Sequence, residues 1–226
     1  MLRHFAIFVS CVSVALCANS LTHHERKEGF ALLFDGKTLT NWHSIKQLPD
    51  AGSWRARKGV LTWVKGGSWL ATDDTYYDFT LRLEYRTGPQ SNSGIFLRAS
   101  PPGNPAFSGM ELQILSDAGK PAGVHSTGSI YGAVAPSKSM AKPDGEWNQV
   151  EITVLKRGVR AVWNGEKILD VNLDDPRYQN AQERPLAARA PFGHIGLQAY
   201  ESGAPVEFRN IRIKVVRMGP NFSQDR

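Results

Sequence analysis

Cysteine is nearly missing from this chain. The 226 residues contain two, Cys11 and Cys17, both within the first twenty residues. If that stretch is removed, what remains has no disulfide, no thiolate metal ligand and no cysteine nucleophile. Helical periodicity is almost as scarce. Absent too are an Asp-rich calcium loop, a His-x-x-x-His pair and a Gly-x-Ser-x-Gly nucleophile elbow. No glycine-rich turn stands between a strand and a helix, which excludes a phosphate-binding loop. Lys and Arg number 27 against 21 Asp and Glu, a formal charge of +6 spread along the chain. With no basic cluster interleaved with aromatics, nucleic-acid recognition is excluded as the main function.

What is present begins with an export signal. Arg3 and His4 supply a cationic head, Phe5 to Leu16 is almost wholly apolar, and the small residues Ala18 and Ser20 follow. The apolar run is shorter than the roughly 20 residues a membrane helix needs. Residues 1–20 are therefore expected to be a signal peptide cleaved after Ala18 or Ser20, leaving an exported chain in the periplasm, cell envelope or medium with no stable membrane insertion. Lipidation at Cys17 is disfavoured by the bulky Leu16 before it. Residues 21–29 are polar and read as a flexible leader, 30–217 as one domain and 218–226 as a tail.

Within the domain almost everything reads as short strands. Phe79 to Arg86 and Val150 to Val154 alternate apolar and polar residues, the period of a half-buried strand. Val159 to Trp163 and Lys167 to Val171 flank Asn164-Gly165, a pair that readily takes the positive φ of a tight hairpin. In Val206 to Val215 the apolar parity slips between Phe208 and Ile211, the mark of a β-bulge. Asp174 to Ala190 reads as a loop with at most one short helical turn. Many short strands punctuated by 13 prolines and 21 glycines predict an all-β, two-sheet antiparallel β-sandwich.

Two runs stand out for chemistry, Ser93 to Arg98 and Gly109 to Leu115. If Ile95, Leu97, Met110, Leu112 and Ile114 pack the core, then Arg98, Glu111 and Gln113 project together from the opposite face. Glu84, on the polar face of its own strand, is expected either to join them or to pair with Arg82 or Arg98. Of the six histidines, His4 belongs to the signal and His23 and His24 to the leader. His43 reads as a surface residue, and His194 shares its parity with Gln198. His125, in the glycine-rich loop Ala122 to Gly128, is the best-placed general acid or base.

Several segments in order resemble the 3-keto-disaccharide hydrolase domain family. They are Leu33-Phe34-Asp35-Gly36-Lys37, Tyr77-Asp78-Phe79, Leu83-Glu84-Tyr85-Arg86, Asn92-Ser93-Gly94-Ile95-Phe96-Leu97-Arg98, Gly109-Met110-Glu111-Leu112-Gln113, Gly128-Ser129-Ile130-Tyr131, Lys142-Pro143-Asp144-Gly145-Glu146-Trp147-Asn148, Gly196-Leu197-Gln198 and Val206-Glu207-Phe208-Arg209-Asn210. The resemblance implies a concanavalin-like jelly roll acting on glycosides whose C3 hydroxyl is oxidised to a ketone. It implies His125 or Glu111 as base, Arg98 and Lys142 as charge stabilisers, and Glu84, Gln113 and Gln198 as partners of sugar hydroxyls. Tyr131 would stack on the ring or donate to the leaving group. Where many relatives are similar to Asp-His-Gly, this chain has Ala199-Tyr200-Glu201, so Tyr200 or His194 would have to substitute. A divalent cation could polarise the C3 carbonyl, but no motif marks a metal site.

The rival readings are a lectin-like carbohydrate-binding module, a glucanase and a structural envelope protein. Jelly-roll glucanases carry Glu-x-Asp-x-x-Glu on one strand; here that run is Glu111-Leu112-Gln113-Ile114-Leu115-Ser116. One carboxylate is too few to flank a glycosidic bond as acid and base.

Overall fold

The computed structural model describes residues 19–45, 54–64, 69–181 and 184–220. The apolar part of the expected signal and the last six residues lie outside these. Among the described residues thirteen strands form two antiparallel sheets, the sandwich predicted from alternation. They are β1 (Phe30–Leu32), β2 (Trp42–Ser44), β3 (Trp54–Arg57), β4 (Val60–Trp63), β5 (Leu70–Thr72), β6 (Tyr76–Arg86), β7 (Asn92–Ala99), β8 (Met110–Leu115), β9 (Asn148–Leu155), β10 (Gly158–Trp163), β11 (Glu166–Asn172), β12 (His194–Leu197) and β13 (Glu207–Met218). The larger sheet runs β11-β10-β9-β6-β13-β4-β3, with β1 also on β13; the smaller runs β2-β5-β12-β7-β8.

The core lies between the sheets. Leu81, Leu83 and Tyr85 of β6, Ile152 and Val154 of β9 and Phe208 of β13 face Ile95, Leu97, Leu112 and Ile114 of the smaller sheet, all at most 2% exposed. Each such aliphatic side chain contributes about 1.5–3 kcal/mol by leaving water. The core's polar exception is satisfied: the Trp163 indole N–H donates to the Tyr85 hydroxyl at 2.9 Å, and burial pushes that phenol well above its ordinary range. Asn164 and Gly165 take φ of 51° and 87° and close the β10–β11 hairpin as predicted. The expected bulge in β13 is also present, between Arg209 and Arg212, with Asn210 at φ 54°. The Asp174 to Ala190 connection holds two 3-10 turns rather than one, Pro176–Tyr178 and Leu186–Ala188.

The loose leader expected over 21–29 is corrected. Residues His23–Glu28 form a helix, α1, opened by a reciprocal capping box: Thr22 Oγ1 accepts from Glu25 N at 3.1 Å, and Glu25 Oε2 accepts from Thr22 N at 2.9 Å. Gly29, at φ 86°, ends it. Glu25 is buried because its other oxygen accepts from Arg212 Nε at 2.5 Å, pinning α1 to the larger sheet. A second short helix, α2 (Pro105–Ser108), lies between β7 and β8.

Candidate functional site

Register across the smaller sheet builds the site's floor. His43, Ala71, Gly196, Phe96 and Glu111 are successive cross-strand partners on β2, β5, β12, β7 and β8. They share the face turned away from the core. One row along, Gly94 pairs with Gln113, and Gln198 N donates to Gly94 O at 2.9 Å. Beyond the outer edge of β8 the chain returns through Leu112–Ile130 pairing, with Gln113 N donating to Ser129 O at 3.1 Å and Tyr131 N to Glu111 O at 2.9 Å. Alternation then sets Ser129 beside Gln113 and Tyr131 beside Glu111.

Glu111 is 2% exposed, and its Oε1 has no hydrogen-bond partner. Burial alone pushes its carboxyl up to about 8, so it is protonated at neutral pH. Its seat depends on Gly94, where an added Cβ would lie 2.0 Å from Glu111 Oε1. Asn92 Oδ1, Ser129 Oγ and Gln198 Oε1 are also buried and unpartnered. Four such atoms on adjoining positions of one face are a marked departure, since each orphaned polar group costs about 1–3 kcal/mol. Together they form a cluster of unmet hydrogen-bonding capacity under one face of the smaller sheet.

His125 is held over this face by a rigid loop. Thr127 Oγ1 donates to Asp117 Oδ1 at 2.6 Å, Thr127 N donates to Asp117 Oδ2 at 2.8 Å, and Leu115 N donates to Thr127 Oγ1 at 2.9 Å. The exposed His125 ring meets the Tyr131 ring edge to face, centroids 4.9 Å apart. Glu111, Gln113, Tyr131, Gln198 and His125 thus come together as the sequence led us to expect. Tyr200, 52% exposed, lies two residues beyond Gln198.

Four expected members are elsewhere. Arg98 does not project beside Glu111. His194 pairs with Ala99 and Gly196 with Phe96, so β7 carries one extra residue there. Arg98 takes that bulge at φ 53° and is turned inward, 1% exposed. Its guanidinium donates to Tyr77 O, to Lys156 O at 2.9 Å and to Asp78 Oδ1 at 3.2 Å. Burial pulls it down to about 10, and it remains charged at neutral pH. It is a brace between sheets.

Glu84 sits on the larger sheet, on the face away from the core, ion-paired with Arg209 at 2.8 Å. Lys142 is tied into the loop before β9: its ammonium donates to Trp147 O at 3.1 Å and its backbone N–H to Asn148 Oδ1 at 2.9 Å. His194 lines a separate cavity of about 790 Å³ with His43, Ser44, Asp73, Thr75 and Ser100. There its Nδ1 bonds Thr72 O at 2.7 Å, and burial, with His43 nearby, lowers its pKa. The Trp69–Phe96 edge-to-face pair stands between His43 and Glu111 on that face.

Asn92, Gly94 and Ser129 were not singled out from sequence. Gly94 carried a readable signal, because glycine inside a strand marks close approach by another group. Among the described residues no three His, Cys, Asp or Glu side chains cluster to hold a metal, and no described helix is long and apolar enough to cross a membrane.

Comparison with known proteins places these features in context. Residues 29–214 match the 3-keto-alpha-glucoside-1,2-lyase-like domain. A 3-keto-disaccharide hydrolase of Bacteroides thetaiotaomicron is 27% identical, over 84% of this chain and 79% of its own. A crystal structure from Parabacteroides distasonis, assigned as a glycosyl hydrolase, is 25% identical with a TM-score of 0.78, covering 88% of this chain and all of that one. A carbohydrate-binding module of Bacillus subtilis shares the fold alone, at 11% identity and TM-score 0.52, over 76% of this chain and 94% of its own.

Proposed function

Because the chain belongs to the 3-keto-alpha-glucoside-1,2-lyase-like domain family, we propose that it is an exported carbohydrate-active enzyme that cleaves 3-keto-glycosides, including 3-keto-disaccharides. The observation that carries this reading is Glu111, a buried carboxyl with an orphaned oxygen. The name of the Bacteroides relative supports the hydrolase class.

The chemistry follows from the ketone. A carbonyl at C3 acidifies the C2 hydrogen, because the electron pair left behind delocalises onto the C3 oxygen. His125 takes that proton as base. The enolate oxygen needs a donor, and Arg98 does not supply it, being turned inward. Glu111, protonated at neutral pH, supplies one: a neutral carboxylic acid in an apolar setting donates a strong hydrogen bond to developing negative charge. The enolate then collapses, a C1–C2 double bond forms, and the C1–oxygen bond breaks. Tyr131, against His125, protonates the departing oxygen. Water adds its hydroxyl to C1 and a proton to C2, completing net hydrolysis. Asn92, Ser129 and Gln198 exchange hydrogen bonds with ring hydroxyls through their orphaned atoms, and Gln113 and Tyr200 border the sugar.

The test is aglycone release from a 3-keto-glucoside. H125A is expected to lower turnover about 10²–10⁴-fold, the usual worth of a positioned proton-transfer group. Turnover near that of the parent chain would remove His125 as base. Sugar binding with no cleavage of oxidised or ordinary glycosides would instead make the same face a lectin-like module.

A further inference from the structure

Asn19 lies upstream of the capped helix α1 yet is built into the domain. Its Nδ2 donates to Gly59 O at 2.9 Å. With Asn210 it makes a reciprocal pair: Asn19 N donates to Asn210 Oδ1 at 2.5 Å, and Asn210 N donates to Asn19 Oδ1 at 2.9 Å. Both asparagines are left-handed, at φ 60° and 54°, a conformation asparagine tolerates better than most residues. The seat is glycine-lined. A Cβ on Gly36 would fall 2.6 Å from Asn19 Nδ2, and one on Gly59 would fall 3.2 Å away. Three separate segments therefore meet at one side chain: the loop after β1, the β3–β4 turn and the bulge of β13.

We propose that leader removal leaves Asn19 in the mature chain, where it latches the N-terminus to the folded domain. The inference rests on the export reading of the first residues and not on the catalytic one. Two exits are open from sequence, after Ala18 and after Ser20, and the latch separates them. Hydrolysis before Asn19 consumes one water and leaves a carboxylate on the leader and an ammonium on Asn19. That ammonium keeps its bond to Asn210 Oδ1, now charge-assisted. Hydrolysis after Ser20 would discard the latch, leaving Gly59 O and the Asn210 amide without these partners and the seat vacant.

The experiment is expression of the full chain in a bacterium with its own export machinery, followed by intact mass and N-terminal sequencing of the exported product. A mature chain beginning at Cys17, Ala18 or Asn19 is the expected result. One beginning at Leu21 or later, or never shortened, would overturn the proposal. Thermal unfolding of N19A, N210A and the double variant, each checked for its N-terminus, reads the latch itself. Each single change is expected to lower Tm by about 3–6 °C, with little further loss in the double variant. Additive losses, or no loss in N19A, would show that the pair does not act as a latch.

Discussion

The outer faces of the two sheets carry similar polar residues and treat them oppositely. On the larger sheet three arginines meet a carboxylate across the strand: Arg82 faces Glu151, Arg86 faces Glu207 and Arg209 faces Glu84, every pair in register and ion-paired. Arg209 and Arg86 also lie over the Trp147 ring, at 3.9 and 4.8 Å. On the smaller sheet Glu111, Asn92, Ser129 and Gln198 keep unpartnered atoms. A saturated face serves stability, and on the proposed reading the unmet hydrogen bonds of the other face would be met by a bound ligand.

The largest expected effect comes from attacking the unsaturated face at its centre. E111A should lower turnover on a 3-keto-glucoside at least about 10²-fold, whereas E84A on the saturated face should leave kcat/KM within about two-fold. Equal effects would erase the distinction between the faces. Next is the seat itself. G94A drives a Cβ into the Glu111 carboxyl, and overpacking of this kind costs about 1–3 kcal/mol in denaturant unfolding together with most of the activity.

R98A removes the brace and leaves Asp78 with Arg217 and the Lys156 N–H. A loss of about 3 kcal/mol is expected, and substrate KM should change little in whatever fraction folds.

The pH dependence is subtler. The folded Glu111 carboxyl sits at about 8 and the unfolded one near its ordinary value of 4.5. The native state therefore holds a proton that the unfolded state releases between these values. Stability from this group is full below about 4.5, falls as pH rises towards about 8 and is flat above. E111Q should flatten that slope and melt higher than the parent chain at pH 9. Turnover by the parent chain should also fall as pH rises through about 8. The smallest effect is E84Q, within about 1 kcal/mol of the parent.

Much of the architecture was legible because alternation is a direct imprint of a sheet with one dry face. The strands, the Asn164-Gly165 hairpin and the slip between Phe208 and Ile211 were all readable. Arg98 was not, because Ile95 to Arg98 alternates without interruption and the extra residue shows only against β12. Glu84 was left open between the site and an ion pair for a different reason: parity assigns a face within a sheet but does not say which sheet, and the ion pair it makes is with Arg209 rather than Arg82 or Arg98. The leader concealed a helix because its single buried polar anchor, Glu25, finds Arg212 nearly two hundred positions away. Glu111 and Gln113 were legible from alternation along one strand and His125 from its glycine-rich loop, whereas Tyr131 and Gln198 came from the family resemblance.

The extra residue in β7 also acts as a filter on charge. By drawing Arg98 between the sheets, it removes from the Glu111 face the guanidinium that would have welcomed a carboxylate. A uronic acid entering there would set its negative charge against the amide oxygens of Asn92 and Gln198. A neutral glycoside would bring hydroxyl hydrogens to those same atoms.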